Sequence, residues 1–151
     1  MKFDLQKFYQ FCSQLQIETK ERGLQRLDKL LGTQTYVMNE IARGLEEDIH
    51  FFTILKGRQL GVTTISLALD LYWVFTHPGL GATLVTDTEE NREMFRSTLG
   101  MYFEHLPRQF KIPMEGHNRN QLVLKNRSRL FYQVAGSVSY THLRAHETEA
   151  D

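Results

Sequence analysis

Apolar residues recur at steps of three and four positions in several parts of the chain, the spacing of helices that bury one face. This pattern predicts helices over residues 3–15, 36–45, 64–76 and 88–106. The third stretch is apolar almost all round, which predicts a buried helix. Thr33 or Thr35 is placed to cap the second helix, and Asp87 with Glu90 forms a capping box for the fourth.

Short apolar runs between these helices predict strands over residues 51–55, 82–86, 121–125 and 129–134, the last two forming a hairpin. The first run is apolar on both faces, as expected of a strand covered by helices on both sides of a parallel sheet. Residues 17–32 suit either a helix or a short strand with a turn. Strands alternating with long helices predict an α/β fold with a parallel sheet, flanking helices and additional helices at the N-terminus.

Composition narrows the class of protein. The 151 residues are 41% apolar and 24% charged, the formal net charge is zero, and Cys12 is the single cysteine. A lone cysteine excludes an internal disulfide and is typical of a reducing compartment. The longest apolar run, residues 65–75, is too short to span a bilayer and contains Asp70. We therefore expect a cytoplasmic protein with no membrane partner.

The nine residues KGRQLGVTT, which follow the first predicted strand and precede the buried helix, are the strongest functional signal. A strand, a glycine-bearing loop and a helix N-terminus together present backbone N–H groups to phosphate. The standard phosphate loop reads G-x-x-x-x-G-K-[ST]. Here Gly61 and Thr63 are in place, Gly57 falls one position late, Val62 stands where the lysine belongs, and Lys56 precedes the loop.

This loop resembles the deviant Walker A motif of large terminase subunits, the ATPases that package DNA into phage heads. One branch of that family reads S-R-Q-x-G-K-[ST], which residues 57–63 follow except at Val62, and another branch carries its lysine at the front, as Lys56 does here. Gln34 and the helix after it resemble the family's adenine-side glutamine motif. The resemblance covers most of residues 10–136, and its specificity lies mainly in the loop.

The resemblance implies a partial, ASCE-type P-loop NTPase core over residues 50–136, preceded by an N-terminal helical region over residues 1–49. It implies ATP and Mg²⁺ as cofactors. For the intact protein it implies double-stranded DNA, a portal protein and a small terminase subunit as partners, a homo-oligomeric ring, and the cytoplasm of the host cell.

Within the loop, the resemblance assigns most of the binding roles. Lys56 would contact the β- and γ-phosphates. Gly57 and Gly61 would let the backbone approach phosphate closely. Thr63 would begin the helix and offer its hydroxyl to Mg²⁺, which is compatible with a plain N-cap role.

The remaining candidates have competing interpretations. Arg58 would act in catalysis as an arginine finger in cis, or would form a structural salt bridge. Thr64 is a weaker ligand near the α-phosphate, and Gln59 a packing or hydrogen-bonding residue. Val62 belongs to the loop as the substituted lysine position. Gln34 would read the adenine edge, or would be a surface residue before a helix.

Two absences indicate an N-terminal fragment. No predicted strand ends in the Asp-Glu pair that hydrolysis requires, and the chain has no room for the terminase nuclease domain. We therefore expect weak nucleotide binding and no turnover. The alternatives are another DNA-dependent P-loop ATPase or helicase-like protein, or a non-catalytic α/β module whose loop has lost nucleotide binding.

The C-terminal residues have a separate origin in this interpretation. Residues 138–148, VSYTHLRAHET, can be back-translated to a string that resembles the adapter of transposase-based sequencing libraries. Residues 137–151 are accordingly predicted to be a non-native tail. His142 and His146, four positions apart, are then not interpreted as metal ligands.

Overall fold

The computed structural model describes residues 2–136, so the predicted tail lies outside the described residues. The chain is a mixed α/β protein. Its elements, in order, are α1 (Leu5–Cys12), β1 (Gln16–Thr19), β2 (Gly23–Arg26), α2 (Gly32–Glu46), α3 (Val62–Thr76), β3 (Gly81–Thr86), α4 (Glu89–Glu104), a 3₁₀ turn (Arg108–Phe110), β4 (Met114–His117), β5 (Gln121–Leu124) and β6 (Arg129–Val134). Among residues 2–136, no helix is both long and apolar enough to cross a membrane.

The described residues form two compact units, and α3 and α4 each contribute to both. The first unit comprises residues 2–72 and 101–111. Its core is an aromatic cluster in which the ring of Tyr72 lies 5.3 Å from that of Phe8 and 5.4 Å from that of Phe11. Burial of such large rings is the main stabilising contribution in a small unit. The amphipathic pattern of α1 is therefore explained by packing against Tyr72 of α3.

The ambiguous region, residues 17–32, contains strands. Strands β1 and β2 form an antiparallel hairpin in which Gln16 pairs with Arg26 and Thr19 with Gly23. Gly23 has a φ of 68°, a left-handed conformation that glycine adopts without steric cost. The predicted N-terminal helical region thus also contains a hairpin.

The second unit comprises residues 73–100 and, within the described chain, 112–136. It contains a four-stranded sheet in the order β3-β6-β5-β4. Strand β3 runs parallel to β6, and the other pairs are antiparallel. The predicted strands at residues 82–86, 121–125 and 129–134 are confirmed, as is the hairpin of the last two. The sheet is mixed rather than parallel, and β4 is not among the predicted strands.

A buried serine connects the turn between β5 and β6 to the end of α3. Ser128 is fully buried, and its Oγ donates to the carbonyl oxygen of Val74 at 2.7 Å. The side-chain amide of Asn126 donates to the same oxygen at 2.9 Å. The last carbonyls of a helix receive no hydrogen bond from the helix itself. These two side chains therefore satisfy a carbonyl that burial would otherwise leave unpaired.

The predicted strand at residues 51–55 is wrong. These residues are extended but belong to no sheet, and Phe51 and Leu55 are 95% and 100% exposed. An apolar run indicates that a segment tends to be buried, whereas a strand also needs a neighbouring backbone with which it forms hydrogen bonds. Within residues 2–136, no such neighbour lies beside this segment.

Two predicted helix caps are also corrected. Helix α4 is capped by Thr88 rather than Asp87, because the hydroxyl of Thr88 accepts from the N–H of Asn91 at 3.1 Å. The carboxylate of Asp87 instead accepts from the side-chain amide of Asn91 at 2.6 Å. Helix α2 begins after Leu31, so neither predicted threonine is its N-cap.

Helix α3 is confirmed as a buried helix, and it carries one acidic side chain. Asp70 lies in its middle and has no hydrogen-bond or ion-pair partner among residues 2–136. Burial raises the pKa of Asp70 to about 7, because the charged carboxylate loses its hydration. The carboxyl group therefore titrates near neutral pH in the folded chain.

Candidate functional site

The predicted phosphate loop follows the extended segment, turns at Arg58 and Gln59, and leads into α3. Gln59 and Gly61 have φ values of 60° and 70°. A Cβ on Gly61 would lie 2.6 Å from Nε2 of Gln34, so both the backbone conformation and the available space require glycine there. A Cβ on Gly57 would make only ordinary contact, at 3.7 Å from Leu60. Of the two glycines, the second is the one that the local geometry demands.

The first turn of α3 presents unpaired backbone donors. Its first helical hydrogen bond runs from the N–H of Ile65 to the carbonyl of Gly61 at 3.2 Å. The N–H groups of Val62, Thr63 and Thr64 have no acceptor in the described part of the chain. Free donors at a helix N-terminus, together with the helix dipole, favour an anion.

The side chains of this turn differ in direction. Val62 is buried at 6% exposure, whereas Thr63 is exposed. The hydroxyl of Thr63 has no hydrogen-bond partner within residues 2–136 and is accessible to a ligand. The position that holds lysine in the standard motif therefore contributes to packing here.

Two cationic side chains lie in the loop. Lys56 is exposed, and its Nζ donates only a long bond, 3.4 Å, to the carbonyl of the adjacent Gly57. Arg58 is exposed and forms no ion pair with any described residue. The structural salt bridge considered for Arg58 is thus not formed within residues 2–136. Both cations are therefore exposed and without a counter-ion among residues 2–136.

The N-terminal turn of α2 holds the other side of the loop. Gln34 is 3% exposed, its Oε1 accepts from the N–H of Leu31 at 2.8 Å, and its Nε2 donates to the carbonyl of Gly61 at 2.9 Å. The hydroxyl of Thr33 donates to the carbonyl of Leu60 at 2.8 Å. Gln34 therefore adjoins the loop and is buried rather than a surface residue, and both ends of its amide are engaged within the protein.

A cavity of about 710 Å³ borders the loop. It lies between α2 and the extended segment, and Lys56, Gly57 and Val62 contribute to its wall. The rest of the lining is mostly apolar, and includes Tyr36, Val37, Ile41, Ile49, Phe51, Phe52, Ile54, Leu55 and Leu60. An apolar cavity next to anion-binding donors is the combination expected of a site for a molecule with a ring and a charged group.

Gly44 shapes this cavity, a role that the hydrophobic pattern of the sequence does not indicate. A Cβ on Gly44 would lie 2.5 Å from Cε1 of Phe52, so the glycine makes room for the ring against α2. Glu40 and Arg43 pair across one turn of the helix at 2.5 Å beside the cavity. A glycine inside a helical pattern is a usable signal of such a close approach.

The residues present fit the phosphates of a nucleotide better than they fit its metal ion. Three free N–H groups and two cations lie together in the loop and the first turn of α3, which suits phosphate oxygens. For Mg²⁺, Thr63 provides one hydroxyl. Among the described residues, no group of three or more His, Cys, Asp or Glu side chains is arranged to hold a metal.

Comparison with known proteins adds no information about this site. A scan against known protein families and a search among curated proteins found no match to this chain.

Proposed function

We propose that the chain is an N-terminal ATPase fragment of a phage terminase large subunit, and that residues 56–64 hold the phosphates of ATP. One observation carries the proposal: the unpaired N–H groups of Val62, Thr63 and Thr64 lie in the same short stretch as the unpaired cations of Lys56 and Arg58. The likeness of this stretch to the terminase loop supports it independently.

Each residue has a defined task in this proposal. The backbone donors at the start of α3 bind the phosphate oxygens, and Lys56 offsets their charge from the front of the loop. Thr63 would offer its hydroxyl to Mg²⁺, and Arg58 would offset the charge of the transferring phosphoryl group as an arginine finger in cis. ATP, when bound, supplies the phosphoryl group whose transfer drives the motor.

Base recognition follows from the same geometry. The apolar cavity has room for an adenine ring beside the loop, and Tyr36 lines it with an exposed aromatic surface. Gln34 reads the adenine edge only if its amide releases Leu31 or Gly61. In the present conformation Gln34 acts as a support of the loop.

The intact protein would translocate double-stranded DNA as a homo-oligomeric ring, bound to a portal protein and aided by a small terminase subunit, in the cytoplasm of the host cell. These partners rest on the family resemblance. The fragment itself is expected to bind ATP weakly and not to hydrolyse it, since the sequence offers no second acidic motif.

A second candidate function, a non-catalytic α/β module, is favoured by one specific observation. Residues 51–55 lie outside every described sheet, so Lys56 is not held at the end of a strand. A lysine on an exposed, unsupported segment loses more conformational entropy on binding phosphate than a fixed one. In that case the loop keeps its shape without its ligand.

Binding of Mg-ATP to the 151-residue chain, measured by titration calorimetry, separates these functions. We expect Lys56→Ala to weaken binding about tenfold or more, because one charge contact to phosphate is lost. Lys20→Ala, at an exposed position in the turn between β1 and β2, is the matched control and should change nothing.

Failure of the unaltered chain to bind Mg-ATP at millimolar concentration, or equal binding by Lys56→Ala, would favour the non-catalytic module. Hydrolysis of ATP above background would contradict the expectation that the fragment is inactive.

A further inference from the structure

The extended segment, residues 51–55, has an unpaired backbone. None of its N–H or carbonyl groups has a hydrogen-bond partner within residues 2–136. An extended stretch with free donors and acceptors along its edges is a template for another strand. The partner that satisfies such an edge is itself an extended chain.

The side chains of the segment divide into two faces. Phe51, Thr53 and Leu55 share one face, and the two apolar members are 95% and 100% exposed. Phe52 and Ile54 share the other face at 38% and 41% exposure, with Phe52 against α2. One face is thus partly covered by the protein itself, and the opposite face and the edges are bare.

The segment is complementary to its own reverse. In an antiparallel pair centred on Thr53, the two threonines face each other, Phe51 lies opposite Leu55, and Phe52 lies opposite Ile54. Aromatic side chains opposite aliphatic ones, and threonine opposite threonine, are favourable cross-strand pairs. A parallel pair would instead put each side chain beside its own copy.

The charges flanking the segment select the same arrangement. Asp48 precedes it, just after the end of α2 at Glu46 and Glu47, and Lys56 and Arg58 follow it. In the antiparallel pair the acidic end of each copy lies beside the basic end of the other, and this happens twice because of the two-fold symmetry. Parallel alignment would bring like charges together. The exception is His50, which falls opposite Lys56 and is held by Asp48 at 2.8 Å.

From this complementarity we propose that two copies of the chain associate through residues 51–55, paired antiparallel about a two-fold axis at Thr53. The pairing gives partners to the free backbone groups along one edge of each segment and brings Phe51 of each copy beside Leu55 of the other. A formal net charge of zero means that no long-range repulsion opposes the approach of two copies. This association does not require bound nucleotide, although it engages Lys56 and Arg58, the cations that the proposed function assigns to phosphate.

Cross-linking through an introduced cysteine tests the arrangement directly. Thr53→Cys places two thiols opposite each other at the axis, within reach of a disulfide. The native Cys12 does not interfere, since it is 1% exposed and burial raises the pKa of its thiol to about 12. Ser97→Cys, at an exposed position of α4, is the matched control.

Under a mild oxidant and at equal concentration, we expect Thr53→Cys to form covalent dimer at least about tenfold faster than Ser97→Cys, because only its thiols are brought together in the pair. In an equimolar mixture of Phe51→Cys and Leu55→Cys chains, the mixed dimer should exceed either homodimer by more than the statistical ratio of random pairing. Equal rates for Thr53→Cys and Ser97→Cys, or a mixed dimer at or below that statistical ratio, would overturn the arrangement.

Sedimentation equilibrium of the chain without an introduced cysteine measures the association itself. We expect an average mass that rises with concentration from 17.7 kDa toward twice that value. Thr53→Lys opposes two like charges at the axis and should raise the dimer dissociation constant about tenfold or more. A mass that stays at the monomer value, or hydrogen exchange that shows protected amides at residues 51–55 in the monomer, would contradict the proposal.

Discussion

The side-chain nitrogen of Gln34 donates to the carbonyl oxygen of Gly61 at 2.9 Å, while its side-chain oxygen accepts from the N–H of Leu31. One buried amide thereby joins the start of α2 to the end of the loop. The carbonyl of Gly61 also accepts the first helical bond of α3, from Ile65. The conformation of the loop is therefore coupled to the starts of two helices.

Replacing Gln34 with alanine should destabilise the fold by about 1–3 kcal/mol, since the part-buried N–H of Leu31 and the part-buried carbonyl of Gly61 each lose a partner. The free energy of unfolding in urea is the measurement. Gln6→Ala, at an exposed position in the first turn of α1, is the control and should change stability by less than about 0.5 kcal/mol. Equal effects of the two substitutions would show that the amide of Gln34 does not hold the loop.

Gly61→Ala should cost about 1–3 kcal/mol more than Gly23→Ala. Both glycines have left-handed φ values, 70° and 68°, so the backbone strain is matched. Only at Gly61 does the added Cβ meet another group, at 2.6 Å from Nε2 of Gln34, which must move and give up its hydrogen bond. Thermal or urea unfolding of the two variants measures the difference, and equal losses would mean that the loop adjusts without cost.

Asp70 should make the stability of the fold depend on pH. Burial raises the pKa of its carboxyl from the ordinary value of 3.8 to about 7, so between these pH values the folded state binds more protons than the unfolded state. The contribution of Asp70 to stability is therefore highest below about pH 4, falls as the pH rises to about 7, and is constant above that.

Asp70→Asn removes this titration, and at pH 8 it should stabilise the fold by an amount on the order of 2–4 kcal/mol. At pH 4 the two chains should be nearly equal. Unfolding free energies across this range are compared with those of Asp28→Asn, which alters an exposed carboxyl. Parallel pH profiles for the unaltered chain and Asp70→Asn would show that Asp70 is not desolvated.

Ser128→Ala should destabilise the second unit by about 1–2 kcal/mol, because the buried hydroxyl donates to the carbonyl of Val74 at 2.7 Å. The side-chain amide of Asn126 still reaches that oxygen, which limits the loss. Ser97→Ala, on an exposed turn of α4, should be neutral or slightly stabilising because alanine favours helices. If Ser128→Ala also proved neutral, the hydroxyl bond would contribute nothing beyond the amide bond.

The helices were predictable because their signal is local. Side chains three and four positions apart meet on one face, so the pattern of α1 or α3 needs no knowledge of the partner. Strands β5 and β6 were predictable because a short turn, residues 126–128, separates two apolar runs, which is a local hairpin signal. The predicted cap of α4 was wrong by one residue, because Asp87 and Thr88 are both chemically able to cap a helix. The predicted cap of α2 was wrong because its N-cap, Leu31, forms no side-chain hydrogen bond.

The strands that failed depend on distant groups. Residues 51–55 have the composition of a central strand, but composition cannot state whether a neighbouring strand is present. The hairpin of β1 and β2 has only weak alternation of apolar and polar residues. For the same reason, its sequence suits either a helix or a short strand with a turn. In the site, the spacing of Gly61 and Thr63 located the helix start. The engagement of Gln34 depended on a contact 27 positions along the chain.

The parallel pairing of β3 with β6 has a kinetic consequence. Gly81 pairs with Arg129 and Thr86 with Val134, so every pair joins residues separated by the whole of α4, β4 and β5. The hairpin of β5 and β6 closes a short loop and can form early, whereas β3 must wait for the intervening chain to be ordered. We expect the docking of β3, rather than the formation of any helix, to set the folding rate of the second unit.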